Sequence, residues 1–352
     1  MSKFWSKRTH ELYPYTPGEQ PQDQQYIKLN TNENPYPPSP KAIEAMRVAS
    51  NEDMRLYPDP NANELKQAIA DYYGVERNQV FVGNSSDEVL AHTFVALLKH
   101  EKPLFFPDIS YSFYPAYCSL FGIESELKFL DQTFELETAD YQEENGGIIF
   151  PNPNAPTGIS LSLMDIDTIL KSNPDTPVVI DEAYVDFGAN SAIPLIAHNP
   201  NLLVTQTFSK SRSLAGLRVG FAVGQAELIE GLERVKNSFN SYPLDRVAIA
   251  GATASIQDKE YFEETCEKII ETREETIDRL EQIGFWVHPS KANFVFAKPR
   301  NHQAIELYQQ LKDTGVLVRH FNKPRISGYL RITIGTDEQM EAFFEKLEAL
   351  VL

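Results

Sequence analysis

Short apolar runs alternate with helical patterns from about residue 39 to about residue 240, and this alternation constrains the fold more than any other feature. Apolar runs without a polar/apolar alternation are typical of strands in a parallel sheet that helices cover on both faces. Such runs predict buried strands at residues 80–82, 104–106, 147–150, 178–180, 202–207 and 219–223. Helices are predicted at residues 40–49, 63–73 and 89–98. The sequence therefore predicts an α/β fold with a large, mostly parallel sheet.

The pattern changes after Pro243, where a second and smaller α/β unit is expected. Its helices are predicted at residues 259–282, 304–312 and 338–350, and its strands at residues 286–287, 294–297, 316–319 and 329–334. The first forty residues show no apolar period, which is typical of an arm that lies on other parts. We expect an arm with part of the small domain at residues 1–38, a large domain at 39–243 and a small domain at 244–352.

Composition and charge exclude several classes of protein. The chain has 50 Asp and Glu against 32 Lys and Arg, so it would be repelled by phosphate backbones, and nucleic acid is not an expected partner. No apolar stretch approaches the roughly 20 residues that span a bilayer, and the N-terminus has no apolar region typical of a secretory signal, so no membrane partner is expected. Two isolated cysteines, Cys118 and Cys266, suit the cytoplasm. The seven histidines show no metal-ligand spacing, so no metal site is expected.

Lys210 follows the predicted strand at residues 202–207, in a segment rich in hydroxyl and basic side chains. A lysine amine that is desolvated beside a buried strand can condense with an aldehyde. Ser209 and Arg218, eight residues after the lysine, would supply donors and positive charge to a phosphate group. Taken alone, such a segment is more often a solvated loop.

Asp181 ends the predicted strand at residues 178–180 and begins an Asp-Glu-Ala-Tyr run. An unpaired carboxylate at the end of a buried strand is costly, and a protonated pyridine nitrogen would be a suitable partner. Tyr184, three residues later, could then bond to the phenolic oxygen of the same ring. The alternative is that Asp181 only caps a helix.

Two further clusters follow predicted strands. Residues 83–88 form a strand-to-helix turn, where free backbone amides can bind a phosphate. Residues 151–158, Pro-Asn-Pro-Asn-Ala-Pro-Thr-Gly, are first of all typical of a turn.

Together and in this order, these clusters closely resemble the fold-type-I pyridoxal-phosphate aminotransferases, and within them the histidinol-phosphate branch. The resemblance extends from the Lys-Leu-Asn-Thr-Asn-Glu-Asn-Pro segment at residues 28–35 to the Leu-Arg-Ile-Thr-Ile-Gly-Thr segment at residues 330–336. The Ser-Lys-x7-Arg stretch and the Asp-Glu-Ala-Tyr run are specific for the cofactor class. Three further motifs narrow the resemblance to the histidinol-phosphate branch: Asn-Glu-Asn-Pro, Arg-Leu-Tyr-Pro-Asp and Ala-Gly-Leu-Arg.

The resemblance implies a role for each matching residue. Lys210 matches the lysine that forms the Schiff base with pyridoxal 5′-phosphate, Asp181 the partner of the pyridine nitrogen, and Tyr184 the tyrosine at the phenolic oxygen. The remaining cofactor residues are Tyr111, which stacks on the ring, and the phosphate ligands Ser86, Asp87, Ser209 and Arg218, with Tyr57 from the neighbouring subunit of a homodimer. Arg331 matches the arginine that binds the substrate anion, and Tyr15 and Arg319 lie near positions for the substrate phosphate.

The chain departs from this pattern at two positions. Many relatives have Asn directly before Pro-Thr-Gly, where its side chain meets the phenolic oxygen, but this chain has Ala155. Asn154 is the candidate replacement, although a shift of one residue changes the direction of a side chain. Relatives often have Gly at the position of Ser85, so the turn could differ slightly.

The activity that the resemblance implies is transamination of L-histidinol phosphate with 2-oxoglutarate, giving imidazole-acetol phosphate and L-glutamate, a step of histidine biosynthesis. Arg331 would bind a phosphate ester in one half-reaction and a carboxylate in the other. The alternatives are an aromatic amino-acid aminotransferase, a threonine-phosphate decarboxylase, and an α/β binding protein without catalysis. The coincidence of four clusters argues most strongly against the last.

Overall fold

The computed structural model describes residues 2–12, 14–15, 18–21 and 23–352. The helices are α1 (Lys7–Glu11), α2 (Pro40–Ala49), α3 (Asn63–Tyr73), α4 (Ser85–Ala96), α5 (Tyr114–Phe121), α6 (Leu163–Ser172), α7 (Ala226–Phe239), α8 (Arg246–Gln257), α9 (Lys259–Gln282), α10 (Ala304–Asp313) and α11 (Asp337–Val351). The strands are β1 (Ile27–Lys28), β2 (Val80–Asn84), β3 (Leu104–Pro107), β4 (Ser125–Lys128), β5 (Gly147–Pro151), β6 (Val178–Asp181), β7 (Leu202–Thr207), β8 (Val219–Gly224), β9 (Phe285–Val287), β10 (Phe294–Pro299), β11 (Val316–Leu317), β12 (Arg319–His320) and β13 (Leu330–Thr333). Short 3₁₀ helices occur at Glu52–Arg55, Arg77–Gln79, Thr138–Tyr141, Val185–Phe187, Ile193–Ala197 and Ala215–Leu217.

The large sheet has seven strands in the order β2-β8-β7-β6-β5-β3-β4. Strand β8 is antiparallel to β2 and to β7, whereas the pairs from β7 to β4 are parallel. The predicted mostly parallel sheet is therefore confirmed. Strand β4 has no prediction, because three of its four side chains are exposed and it carries no apolar run.

The continuous apolar strands are buried on both faces of this sheet. Side chains that alternate along β6 show the division: Val178 and Ile180 pack in one core, and Val179 packs in the other. Helices α3, α6 and α8 contribute to the first core, and α4, α5 and α7 to the second. This two-sided burial explains why the strands contain no polar alternation.

The small domain contains an antiparallel sheet in the order β12-β13-β10-β9. Helices α9, α10 and α11 pack on this sheet in a separate core, which includes Phe294, Ile332 and Phe343. The arm joins this domain, because β1 pairs with β11 in a parallel two-stranded sheet. The segment predicted as a strand at residues 316–319 is instead two short strands, β11 and β12, that belong to different sheets.

Helix α8 follows the predicted domain boundary at residue 243. Its side chains Ala248, Ile249, Ala252 and Ile256 pack in the core of the large sheet. The boundary itself stays a prediction, and this packing favours placing it after α8, near Asp258.

The parallel strands bring their carboxyl ends to one edge of the large sheet. In the register of the sheet, Pro151 at the end of β5 lies beside Asp181 at the end of β6, and Asp181 lies beside Thr205 of β7. Ligands bind outside this edge in sheets of this kind. In the part of the chain that the structure describes, none of the helices combines the length and the apolar character that a membrane span requires.

Candidate active site

A cavity of about 410 Å³ lies at the carboxyl edge of the large sheet, between that sheet, the arm and the small domain. All but two of the predicted site residues line it: Tyr15, Ser86, Asp87, Tyr111, Asp181, Tyr184, Ser209, Lys210, Arg218, Arg319 and Arg331. Asn154 and Tyr57 are absent from its described walls. The fold therefore brings together residues that are more than 300 positions apart in the sequence.

Lys210 enters the cavity from the segment that follows β7. Its Nζ amine donates a hydrogen bond to the Thr31 carbonyl of the arm at 3.1 Å and lies 5.7 Å from the centre of the Tyr184 ring. Ser211, the next residue, holds the segment in place, because its hydroxyl donates a hydrogen bond to the Asp186 carboxylate at 2.5 Å. The lysine is half-buried and is not part of a freely solvated loop.

Asp181 presents a buried carboxylate to the cavity, with 4% of its surface exposed. It accepts hydrogen bonds from the Tyr114 hydroxyl at 2.9 Å, from the Thr205 hydroxyl at 3.4 Å and from the Ala183 backbone amide. Burial raises the pKa of Asp181 to about 6, and the negative charge of Asp87 adds to this effect. No ion pair of the described chain includes Asp181. A cation brought into the cavity would restore the charged form, and a protonated ring nitrogen fits this position.

The start of α4 forms one wall of the cavity and depends on close backbone packing. Ser85 has a φ of 71°, and its backbone amide donates to the Arg218 carbonyl at 2.8 Å. Glycine adopts this left-handed conformation without strain, but the Ser85 hydroxyl makes a contact that glycine could not, since it accepts a hydrogen bond from the Asp87 amide at 2.9 Å. A Cβ on Gly220 would lie 2.3 Å from the Ser86 nitrogen, so β8 can approach this turn only with glycine.

Arg218 and the helix start together form a site for an anion. The guanidinium donates to the Ser85 hydroxyl and to the Asp87 carboxylate, each at 2.8 Å. The amino end of α4 carries a partial positive charge from its backbone dipoles. Ser209 is buried and lines the same cavity. These donors fit a phosphate group.

Two aromatic rings are held at fixed positions beside the lysine. The Tyr111 hydroxyl donates to Asp87 at 3.0 Å, and its ring meets the Tyr114 ring edge-on at 5.7 Å. Burial raises the pKa of Tyr111, so this hydroxyl stays protonated. Tyr184 packs edge-on against Phe294, and its hydroxyl accepts a hydrogen bond from the Asn32 side chain at 3.0 Å.

The small domain supplies two guanidinium groups to the opposite wall. Arg319 and Arg331 are direct cross-strand partners on β12 and β13, and each lies 5.5 Å from the centre of the Phe321 ring. Arg331 donates to the Asn30 carbonyl at 2.9 Å, while its buried Nε has no partner in the described chain. Burial and the charge of Arg319 lower the pKa of Arg331. Like charges directly opposite each other are unfavourable, so this pair favours the binding of an anion.

Asn154 and Tyr57 do not take part in this cavity. The Asn154 amide donates to the Ile109 carbonyl at 3.1 Å and to Thr157 at 3.0 Å, so it stabilises the turn, and Ala155 lines the cavity instead. The one-residue shift has turned the amide away. Tyr57 is 78% exposed and stacks on Tyr242 at 4.7 Å, so its predicted contact with a second subunit stays a prediction.

The sequence did not predict roles for three residues at the site, Asn32, Tyr114 and Arg325. Asn32 is part of the Asn-Glu-Asn-Pro motif, and Tyr114 follows Tyr111 by three residues, so both had a local signal. Arg325 had none, because its partner is distant in the sequence. Its guanidinium donates to Asp108 at 2.6 Å and to the Leu130 carbonyl at 2.7 Å, which joins the small domain to the large one.

Comparisons with known proteins agree with this geometry. The family model for aminotransferase class I and II matches residues 24–347. The chain is 60% identical over 350 residues to histidinol-phosphate aminotransferase 1 of Pseudomonas fluorescens, covering 99% of this chain and 100% of that one. It is 60% identical over 339 residues to histidinol-phosphate aminotransferase 1 of Hydrogenovibrio crunogenus, covering 96% and 95% of the two chains. The solved structure of histidinol-phosphate aminotransferase from Sinorhizobium meliloti in complex with pyridoxal-5′-phosphate has a similar fold, with a TM-score of 0.88, 22% identity and coverage of 100% and 98%.

The raised pKa of Asp181 predicts a gain in stability on neutralisation. The folded chain binds this proton with a pKa of about 6, compared with about 3.9 when unfolded. The contribution of Asp181 to stability therefore falls as the pH rises from about 4 to about 6 and stays unfavourable above. We expect Asp181→Asn to raise the free energy of unfolding of the ligand-free chain at pH 7.5 by about 1–3 kcal/mol, with the gain shrinking towards pH 4.

Urea unfolding of both proteins across this pH range measures the effect. The exposed Asp175→Asn is the control and should change stability by less than about 0.5 kcal/mol. A loss of stability for Asp181→Asn at pH 7.5 would contradict the prediction.

Proposed function

Because this chain belongs to the aminotransferase class I and II family, and within it to the histidinol-phosphate aminotransferases, we propose that it converts L-histidinol phosphate and 2-oxoglutarate to imidazole-acetol phosphate and L-glutamate. This is a pyridoxal-phosphate-dependent reaction of histidine biosynthesis. The observation that carries the proposal is a single cavity that holds a lysine amine, a buried carboxylate and paired arginines.

The residues of the cavity fit pyridoxal 5′-phosphate at each end of its ring. Asp181, buried and without a cationic partner in the described chain, would hold the ring nitrogen protonated. The α4 amino end, Ser209 and Arg218 would hold the phosphate, and the Tyr111 ring would stack on the cofactor. When bound, the cofactor supplies an electron-accepting ring that takes up the electron pair of the broken Cα–H bond.

Lys210 would carry the cofactor and then move the proton. Its Nζ lies on the side of the cavity that faces the arm, held there by the Thr31 carbonyl. When it is not bound to the cofactor, the Lys210 amine could take the proton from the substrate Cα and return it to the C4′ carbon of the cofactor. Tyr184 would donate a hydrogen bond from its hydroxyl to the phenolic oxygen of the cofactor.

The paired arginines would bind both substrates in turn. Histidinol phosphate has a phosphate ester and no α-carboxylate, whereas glutamate and 2-oxoglutarate have carboxylates. Arg331 can form a two-point contact with either anion through its planar guanidinium. Arg319, opposite it on β12, adds the positive charge that the doubly charged phosphate needs, and Tyr15 also lines the cavity.

We place this activity in the cytoplasm, in a homodimer. Both cysteines, Cys118 and Cys266, are free thiols, as suits a reducing compartment. Exposed apolar side chains surround Tyr57, namely Met54 and Leu56 before it and Tyr242 stacked on it. Exposed apolar patches of this kind mark surfaces that a partner covers.

Removal of the Lys210 amine tests the proposed chemistry. Lys210→Ala should reduce turnover of histidinol phosphate with 2-oxoglutarate by at least about 10⁴-fold and abolish the visible absorption band of the lysine-bound cofactor, because it removes both the attachment point and the base. The exposed Lys171→Ala, on α6, is the control and should keep both. A band that persists in Lys210→Ala would contradict the role of Lys210. A clear preference of the unaltered enzyme for phenylalanine or tyrosine would contradict the proposed substrate.

A mixed dimer tests whether the site is shared between subunits. Lys210→Ala chains and Tyr57→Ala chains are co-expressed with different tags, and the heterodimer is purified on both. One of its two sites then has both residues intact, so we expect tight cofactor binding at about half the stoichiometry of the unaltered dimer. Tyr57→Ala homodimers should show weakened binding at both sites. A heterodimer without a tight site would contradict the sharing of Tyr57.

A further inference from the structure

Asn32 of the arm is held in an unusual conformation at the wall of the cavity. It is 1% exposed and has a φ of 57°, in the left-handed region that asparagine tolerates better than most residues. Its backbone amide donates to the Thr333 hydroxyl at 3.1 Å, and its carbonyl accepts from Asn293 at 3.0 Å. Such strain persists only where the surroundings fix it, and it is frequent at functional sites.

The hydrogen bonds of the Asn32 side chain run in one direction. The Thr333 hydroxyl donates to Asn32 Oδ1 at 3.0 Å, so the amide nitrogen faces Tyr184 and donates to its hydroxyl oxygen at 3.0 Å. The Tyr184 oxygen is therefore an acceptor towards Asn32. Its own O–H has no acceptor in the described part of the chain and is free to donate into the cavity.

Because Ala155 has no polar side chain, the hydrogen bond that Tyr184 can donate into the cavity becomes more important. It lines the cavity with a methyl group and packs in the same apolar cluster as Tyr184, so it offers no amide to a ligand. The amide of the neighbouring Asn154 is bonded to the Ile109 carbonyl. Tyr184 is thus left as the side chain of this wall that can donate to an oxygen placed between it and Lys210.

We infer that Asn32 is a positioning residue, which directs the Tyr184 proton towards the phenolic oxygen of the cofactor and takes over part of the function of the amide that Ala155 lacks. This inference rests on the proposed function. The hydrogen bond from Tyr184 to the phenolic oxygen stabilises negative charge on that oxygen. This charge is greatest once the nitrogen that joins the cofactor to Lys210 has lost its proton. The donor therefore lowers the pH at which this proton leaves, and loss of Asn32 raises it.

A spectrophotometric pH titration of the holoenzyme measures the pH at which half of the protein has lost this proton, which is the midpoint of the titration. Asn32→Gly keeps the left-handed backbone without strain and removes the side chain with its amide, so the variant should fold. We expect its midpoint to rise by about 0.4–1 pH unit, the equivalent of one hydrogen bond. Asn32→Asp should raise the midpoint further, because its carboxylate would accept a hydrogen bond from the Tyr184 hydroxyl and so direct this donor away from the cofactor.

A double variant separates action through Tyr184 from a general structural role. Tyr184→Phe should raise the midpoint, and adding Asn32→Gly to it should cause no further change. Asn173→Gly, which removes a buried asparagine remote from the cavity, should leave the midpoint unchanged. An unchanged midpoint in Asn32→Gly, or full additivity with Tyr184→Phe, would overturn the inference. A visible band that is missing from the unaltered enzyme, or that persists in Lys210→Ala, would instead overturn the proposed function.

Discussion

The parallel register of strands β5, β6 and β7 is the constraint on which the site depends. It places the ends of these strands side by side, so that Asp181 at the end of β6 and Lys210 just after β7 open into the same cavity. The sheet buries Asp181 so deeply that its carboxylate is unfavourable without a cation. A cofactor with a protonated ring nitrogen resolves this conflict, which connects the fold to the chemistry.

The other half of the site is added by segments from outside this sheet. Three consecutive arm residues each contact one reactive group: Asn30 accepts from Arg331, Thr31 accepts from Lys210, and Asn32 donates to Tyr184. Positive φ angles at Asn32, Ser85 and Arg218 are concentrated at the same place. The chain thus accepts backbone strain where it needs fixed donors, as is common for catalytic sites.

Many helices and most of the site residues could be predicted from the sequence, because they depend on patterns of neighbouring residues. Helices α2, α3 and α9 have their predicted bounds, because the apolar period of a helix is a pattern of neighbouring residues. The lysine, aspartate and arginine positions followed from motifs. Contacts between distant segments could not be predicted: the apolar face of α8 belongs to the large core, and Asn32 reaches Tyr184 across 152 positions. The direction of a single side chain was also beyond prediction, because it changes with each residue: the Asn154 amide bonds to the Ile109 carbonyl, and Ala155 lines the cavity.

Lys210, and no other lysine of the chain, is the residue that we expect to bind pyridoxal phosphate in this cavity. Borohydride reduction of the protein with the cofactor would make that linkage permanent, and peptide mapping by mass spectrometry would locate it. The added cofactor mass is expected on the peptide that contains Lys210 and on no other peptide. Added mass on a peptide with another lysine, or no added mass on any peptide, would contradict it.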